Sequence, residues 1–508
     1  WISGLGRLQM HRHILGALCG ILIPVLACAQ AAEFLAREEL EGHVARLSGP
    51  QAEETLGRDA AALMTGLGLT LAAPIEPDAE GQAFEPNAKA VIELVDIRLL
   101  LTRIAVQAGA KDHAALIRAQ GDRDHDVILL RGGLIELHDL LALAKGTAAA
   151  PFLSQTAEGI VLTRPLAIWD DAGLALSSGD TLVLDRQSGS FIANLGQLAV
   201  TGGAIRGSAG VNGAEAAFRP FVLTAGQGSF TAQGARFSTL GFDPSVIFGG
   251  LAVVSSGLIA TRLPSFIMDS TISDVASIAI VGTTSTAISG NRIIGSAGTA
   301  VLLSHATSAV VSGNRFTGRT GTRAIRVTAI SSGVMISGNL LSQGPGIGVL
   351  IDGGSDGVAL SGNVVLGSGT SGIEVRASEC VIIEGNLVAM NEGTGININD
   401  TRVGIVSANA ILFNRGSGVL LRDQAVSAMA LVSDNVIAGN RDGLRGATAG
   451  RVELSGNKLD GQLPRVFAGD LAPLAVDWLR HRRNPEPAFQ PATQPAAGLA
   501  PCEHGGNG

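Results

Sequence analysis

The sequence predicts an all-β fold, a right-handed parallel β-helix of about 24 residues per coil with a small N-terminal α-helical cap. Three observations predict it. A short motif returns eight times at coil spacing; glycine is 68 of 508 residues while aromatics are 4 %; and nothing between 150 and 460 is long and amphipathic enough for a helix. Each coil of such a solenoid buries itself against its neighbours, so the length needs no division into several globular cores.

Residues 1–9 precede the first methionine, Met10, and read as upstream translated sequence. His11-Arg12-His13, the apolar run Ile14 to Ala29 and the small-residue site Ala29-Gln30-Ala31 have the layout of a removable signal peptide over 10–31. The chain is therefore expected to be exported and periplasmic, without a transmembrane segment. Val25-Leu26-Ala27-Cys28 is a poor lipidation site because of its leucine at the second position, and no lipid anchor on Cys28 is expected. Past the signal, Cys380 and Cys502 remain; they are far apart in sequence, and a disulfide between them is possible by count alone.

Residues 32–124 carry helical periodicity, with Phe34, Leu35, Leu40 and Val44 to Leu47 on a first helix and Ala88 to Ala108 as a long second one. This region is expected to cap the first coil, because an uncovered solenoid end exposes strand edges and apolar side chains, or to dock partner proteins through residues 33–120.

The β-helix is expected over 125–465. Its register is explicit in Ile288-Ser-Gly-Asn291, Val311-Ser-Gly-Asn314, Ile336-Ser-Gly-Asn339, Leu360-Ser-Gly-Asn363, Ile383-Glu-Gly-Asn386, Val406-Ser-Ala-Asn409, Val432-Ser-Asp-Asn435 and Leu454-Ser-Gly-Asn457. Subtracting neighbouring positions gives intervals of 23, 25, 24, 23, 23, 26 and 22. Gly and Asn suit a turn that needs left-handed backbone angles, and stacked asparagine amides can satisfy one another inside the coil. The asparagines are thus structural. A Pro/Ala-rich tail follows over 466–508, expected to be disordered from about 484.

A second repeated strand precedes each asparagine. Alternation turns Leu302, Arg326, Leu350, Glu374, Asn397, Leu420 and Arg445 outward, with Ser304, Thr328, Asp352, Arg376, Asn399 and Arg422 beside them. Cations and carboxylates repeated about 4.8 Å apart on a flat sheet suit an extended sugar chain better than a small ligand. Outward residues of any soluble solenoid are polar as well, and Arg376 beside Asp352 or Glu374 also reads as a cross-strand pair. The net charge of −8 argues against nucleic acid, so an anionic polysaccharide would be met by a local basic patch. No cofactor and no metal is expected, Asp352, Asp356 and Asp400 forming no matching cage; structural Ca²⁺ in the groove is the alternative.

Ser188-Gly-Ser-Phe-Ile-Ala-Asn194, Phe218-Arg-Pro-Phe221 and Phe237-Ser-Thr-Leu-Gly-Phe-Asp243, followed by the coil repeats, resemble the periplasmic mannuronan C5-epimerases of alginate biosynthesis over residues 125–460. The resemblance implies an isomerase that inverts C5 of mannuronate within a polymer. It also implies an Asp-Pro-His motif, but ungapped counting brings that motif onto Leu302-Leu303-Ser304, where it is absent, and the expected arginine onto Ala329. Either the site is rebuilt with His305 and Arg326 as catalytic residues, or the chain only holds polymer through Arg376, Arg422, Arg445, Asp352, Glu374 and Asn399. Alternation is expected to turn His305 away from Ser304. A non-catalytic scaffold of an exopolysaccharide export complex and a polysaccharide lyase are the competing functions.

Overall fold

The computed structural model describes residues 38, 40–42, 56–76, 89–109, 113–121, 125–209, 218–242, 246–256, 264–318 and 321–481. The expected signal peptide with Cys28, residues 1–9, the segments Phe34-Leu35 and Val44 to Leu47, and the tail from 484 lie outside the described residues. The chain divides into two units, 1–71 and 72–508. In the first, the helix Leu56–Gly66 buries Ala60, Leu63 and Met64, the spacing of one helical face.

The second unit is a parallel β-helix. Its first strand column starts at Asp126–Arg131, passes through Leu166–Ile168, Ile192–Asn194, Val222–Ala225, Gly250–Val254, Ser277–Val281, Thr299–Ser304, Arg323–Thr328 and Ile347–Ile351, and ends at Arg465–Gly469. Every step in it is parallel and in register. Two further columns run beside it, for example through Val310–Ser312 and Met335–Ser337, and through Leu340–Ser342 and Val364–Leu366. Alternation along each strand decides which side is core. Val301, Leu303, Ile325, Val327, Val349, Ile351, Ile373 and Val375 stack inward in one cluster, each burial worth about 1.5–3 kcal/mol.

The expected ladder is present. Asn291, Asn314, Asn339, Asn363, Asn386, Asn409 and Asn435 each donate a side-chain amide N–H to the next asparagine's Oδ1 at 2.9–3.0 Å, the series ending on Asn457. The preceding glycine is left-handed, as at Gly290 (φ 67°) and Gly362 (φ 59°). A second ladder, not anticipated, joins Asn391, Asn414 and Asn440 and is closed by Gln462.

The expected long helix Ala88–Ala108 is two elements. Val91–Asp96 is a strand paired antiparallel with Asp126–Arg131, and the helix occupies Ile97–Ala108. Tertiary pairing wins over local helical periodicity because Ile92 completes the core of the first coil beside Ile128 and Leu130. Asp96 caps the helix, its carboxylate accepting from the Arg98 N–H at 2.8 Å.

The helix then lies outside the solenoid. Ile97, Leu100, Leu101 and Ile104 form a second core with Phe191, Phe218, Phe221, Phe242 and Phe248. Of the phenylalanines that carried the family resemblance, Phe191, Phe218, Phe221 and Phe242 are therefore an outer layer holding a helix, while Phe237 belongs to the inner core. The end of the first coil is bordered by the strand Val91–Asp96 and by the helix Leu137–Ala144, whose Leu137, Leu140 and Ala144 belong to the inner core. At the other end Leu474, Ala475 and Trp478 pack against the last coil from the helix Leu474–His481. The segment 72–76 runs along the coil axis. Ile75 N–H donates to Ser312 Oγ at 2.8 Å, its carbonyl accepts from Ser289 Oγ at 2.9 Å, and Ala72 and Pro74 lie on Gly338 and Gly313.

Candidate functional site

The outward strip follows the expected register. Leu302 pairs with Arg326, Arg326 with Leu350, Leu350 with Glu374, Glu374 with Asn397, Asn397 with Leu420 and Leu420 with Arg445. Beside it, Arg376 pairs with Asn399 and Asn399 with Arg422. The strip is less open than a flat sheet: Leu302 and Leu350 are buried although they lie outside the inner core, and Glu374 is 4 % exposed.

Its charges are already committed at one end. Arg326 grips Asp352 on the next coil with two hydrogen bonds, Nε at 3.2 Å and an η nitrogen at 2.8 Å, the planar fork that guanidinium offers a carboxylate. Arg376 folds back on Glu374 of its own strand at 2.6 Å. The structure thus pairs Arg326 with Asp352, named separately from sequence, and makes the expected pairing of Arg376 with Glu374 one within a single strand instead of across strands.

His305 departs from expectation. Its φ of 51° is left-handed, which breaks strand alternation; the side chain is exposed and its Nδ1 lies 3.2 Å from Ser304 Oγ instead of turning away from it. Its backbone N–H donates to the Ala329 carbonyl at 3.1 Å on the next coil. That register sets His305 three residues beyond Arg326 along the strand direction, about 10 Å at ~3.3 Å per residue. The two candidate catalytic residues sit on adjacent coils, three residues apart in strand register.

At the C-terminal end the strip opens into a cleft of about 400 Å³ lined by Thr394, Ser417, Leu420, Arg422, Arg441 and Arg445, with Asp442 at its base. The Asp442 side chain is 2 % exposed and is approached by Arg465 Nε at 3.0 Å and an Arg445 η nitrogen at 3.5 Å. Among the described residues, Asn397 Oδ1, Asn399 Oδ1 and Arg422 Nε are buried without a hydrogen-bond partner. Arg441 was missed by sequence because it precedes the strand, where counting by alternation does not reach. Its signal was the triplet Asn440-Arg441-Asp442 at the start of a repeat strand. Cys380 is disulfide-bonded. No group of three or more His, Cys, Asp or Glu among the described residues is placed to hold a metal.

The family described as "right handed beta helix region" matches residues 276–459. The chain is a right-handed parallel β-helix. A mannuronan C5-epimerase of Pseudomonas syringae pv. tomato (strain ATCC BAA-871 / DC3000) is 23 % identical over 197 residues, 36 % of this chain and 36 % of that protein. The chain thus spans about a third of the length of that curated relative. The crystal structure of the periplasmic alginate epimerase AlgG superposes with a TM-score of 0.64 at 18 % identity, over 77 % of this chain and 99 % of that one. A point variant of the same epimerase gives 0.60 at 19 %, over 78 % and 100 %. The resemblance read from residues 125–460 is thereby borne out in sequence and in fold, at identities that carry the fold alone. No helix among the described residues is long and apolar enough to cross a membrane.

Proposed function

We propose that this β-helix acts on an anionic polyuronate lying along the outward strip, with epimerisation at C5 as its reaction. The observation that carries the reading is the in-register column from Arg326 to Arg445, ending in a cationic cleft on a chain of net charge −8. Relatives of the same fold named as mannuronan and alginate epimerases support it. Their periplasmic setting and the apolar run Ile14 to Ala29 support export.

C5 inversion requires the uronate carboxylate to be neutralised while a proton leaves one face and returns to the other. Arg326 would exchange Asp352 for the substrate carboxylate, keeping one planar anion in its fork, His305 would take the C5 proton from one face, and solvent water would return one to the opposite face. The gap of about 10 Å between them favours a second reading, in which the strip only binds polymer.

Incubating the mature protein with poly-mannuronate in deuterated water and reading the polymer by NMR separates these. Deuterium at C5 with new guluronate signals is the expected result, abolished by His305→Ala and by Arg326→Ala. Unsaturated ends would make the protein a lyase. Saturable binding with no exchange would leave the scaffold.

A further inference from the structure

We propose that the cleft of Arg422, Arg441 and Arg445 is a distal anchoring subsite for one uronate residue of the polymer, five coils from Arg326. This rests on the polyuronate reading above and deepens it. The column runs from Arg326 through Leu350, Glu374, Asn397 and Leu420 to Arg445, five steps of about 4.8 Å and so roughly 24 Å. Only an oligomer reaches both ends.

Charge selects the ligand. Three guanidinium groups line the cleft with the carboxylate of Asp442; Arg422 also has Asp423 at 3.8 Å, so with Arg465 on Asp442 the local balance is four arginines to two aspartates on an otherwise acidic chain. Asp442 is also neutralised from outside the cleft by Arg465, which makes a 3.0 Å hydrogen bond to it. Arg445 is held beside Asp442 at 3.5 Å, so it is oriented without being fully consumed. Arg441 is exposed and makes no ion pair among the described residues; its backbone N–H donates to the Gly416 carbonyl at 3.1 Å and its carbonyl accepts from the Arg465 N–H at 3.5 Å. A carboxylate is one of the anions whose geometry fits such forks, and it is the one a polyuronate carries.

The remaining lining suits the sugar that bears it. Leu420 offers an apolar floor for a ring face and Thr394 a hydroxyl, while the Ser417 hydroxyl is turned to Asp442 at 3.5 Å. A cleft of about 400 Å³ is within the range of small-ligand sites.

The test uses the full chain and oligo-mannuronates of defined length, with affinities from calorimetry. A trimer is expected to bind the cleft, and an octamer to bind at least about tenfold tighter because it also reaches Arg326. Arg441→Glu should weaken the trimer at least about tenfold while Arg441→Lys stays within about threefold, and both should keep the wild-type melting temperature since Arg441 is exposed. Arg326→Ala should bring the octamer to trimer affinity and leave the trimer unchanged. Trimer binding indifferent to Arg441→Glu, or an octamer no tighter than the trimer, overturns the anchoring subsite while the polyuronate reading stands. Failure of the wild type to bind any mannuronate oligomer or polymer overturns both.

Discussion

The side chain of Asn363 accepts from the backbone and side-chain amides of Asn339, each at 3.0 Å, and donates to Asn386 Oδ1 at 2.9 Å and to the Ile336 carbonyl at 2.8 Å. It is fully buried, so Asn363→Ala strands several polar groups at about 1–3 kcal/mol each. A loss of at least about 3 kcal/mol in urea denaturation is expected, and a loss near zero would mean that water replaces the amide. The converse change lies two turns away. Where other coils have Ser-Gly-Asn, one has Ser407-Ala408-Asn409, and Ala408 is held at φ 53°. The left-handed angle costs alanine about 1–2 kcal/mol, while glycine gives back about 0.5–1 kcal/mol in chain entropy. Ala408→Gly should therefore raise stability by up to about 1 kcal/mol in the same assay. The first ladder was legible because a triplet marks nearly every rung. The second was hidden because the left-handed residues ahead of Asn391, Asn414 and Asn440 are Met390, Phe413 and Gly439, with no common letter.

Segment 72–76 stays on the coils because they present glycines to it. A Cβ at Gly338 would collide with the carbonyl oxygen of Ala72, and one at Gly313 with the Pro74 ring. Gly338 also has a φ of 61°, so Gly338→Ala is strained twice. Loss of amide protection at Ile75, whose N–H bonds to Ser312, is expected by hydrogen exchange, with the Asn ladder still protected. Unchanged protection at Ile75 would show that the segment shifts without detaching. At this scale sequence reading had clear bounds. Strands with a repeat partner every coil were found, since each is one of many examples. Val91–Asp96 was not, because its apolar residues fit a helix equally well and only its pairing partner at Asp126–Arg131 decides. Likewise the strip was legible from alternation, whereas the pairing of Arg326 with Asp352, the left-handed turn at His305 and the entry of Arg441 into the cleft depend on geometry between coils.

A solenoid has no single centre, and its stability is close to a sum over neighbouring coils. This chain adds a local reinforcement near its N-terminal end, the aromatic layer beneath the helix Ile97–Ala108. Phe221 is fully buried there, stacked on Phe191 at 4.6 Å and packed on Phe248 at 4.9 Å. Arg103 of the same helix lies 5.0 Å over Trp169 and bonds to Asp170 at 3.2 Å, a second tether to the same coils. Phe221→Ala removes a core aromatic at a cost of about 3–5 kcal/mol. The proposed anchoring cleft is built on Thr394 to Ala447, many coils further along the stack, and shares no contact with this layer. If the neighbour-to-neighbour account holds, hydrogen exchange in Phe221→Ala should lose protection across 191–254 while amides in 396–447 keep theirs, and trimer affinity should be unchanged. Uniform loss across both regions would instead mean that the stack unfolds as one cooperative unit, in which case the N-terminal aromatic layer would also govern the integrity of the distant cleft.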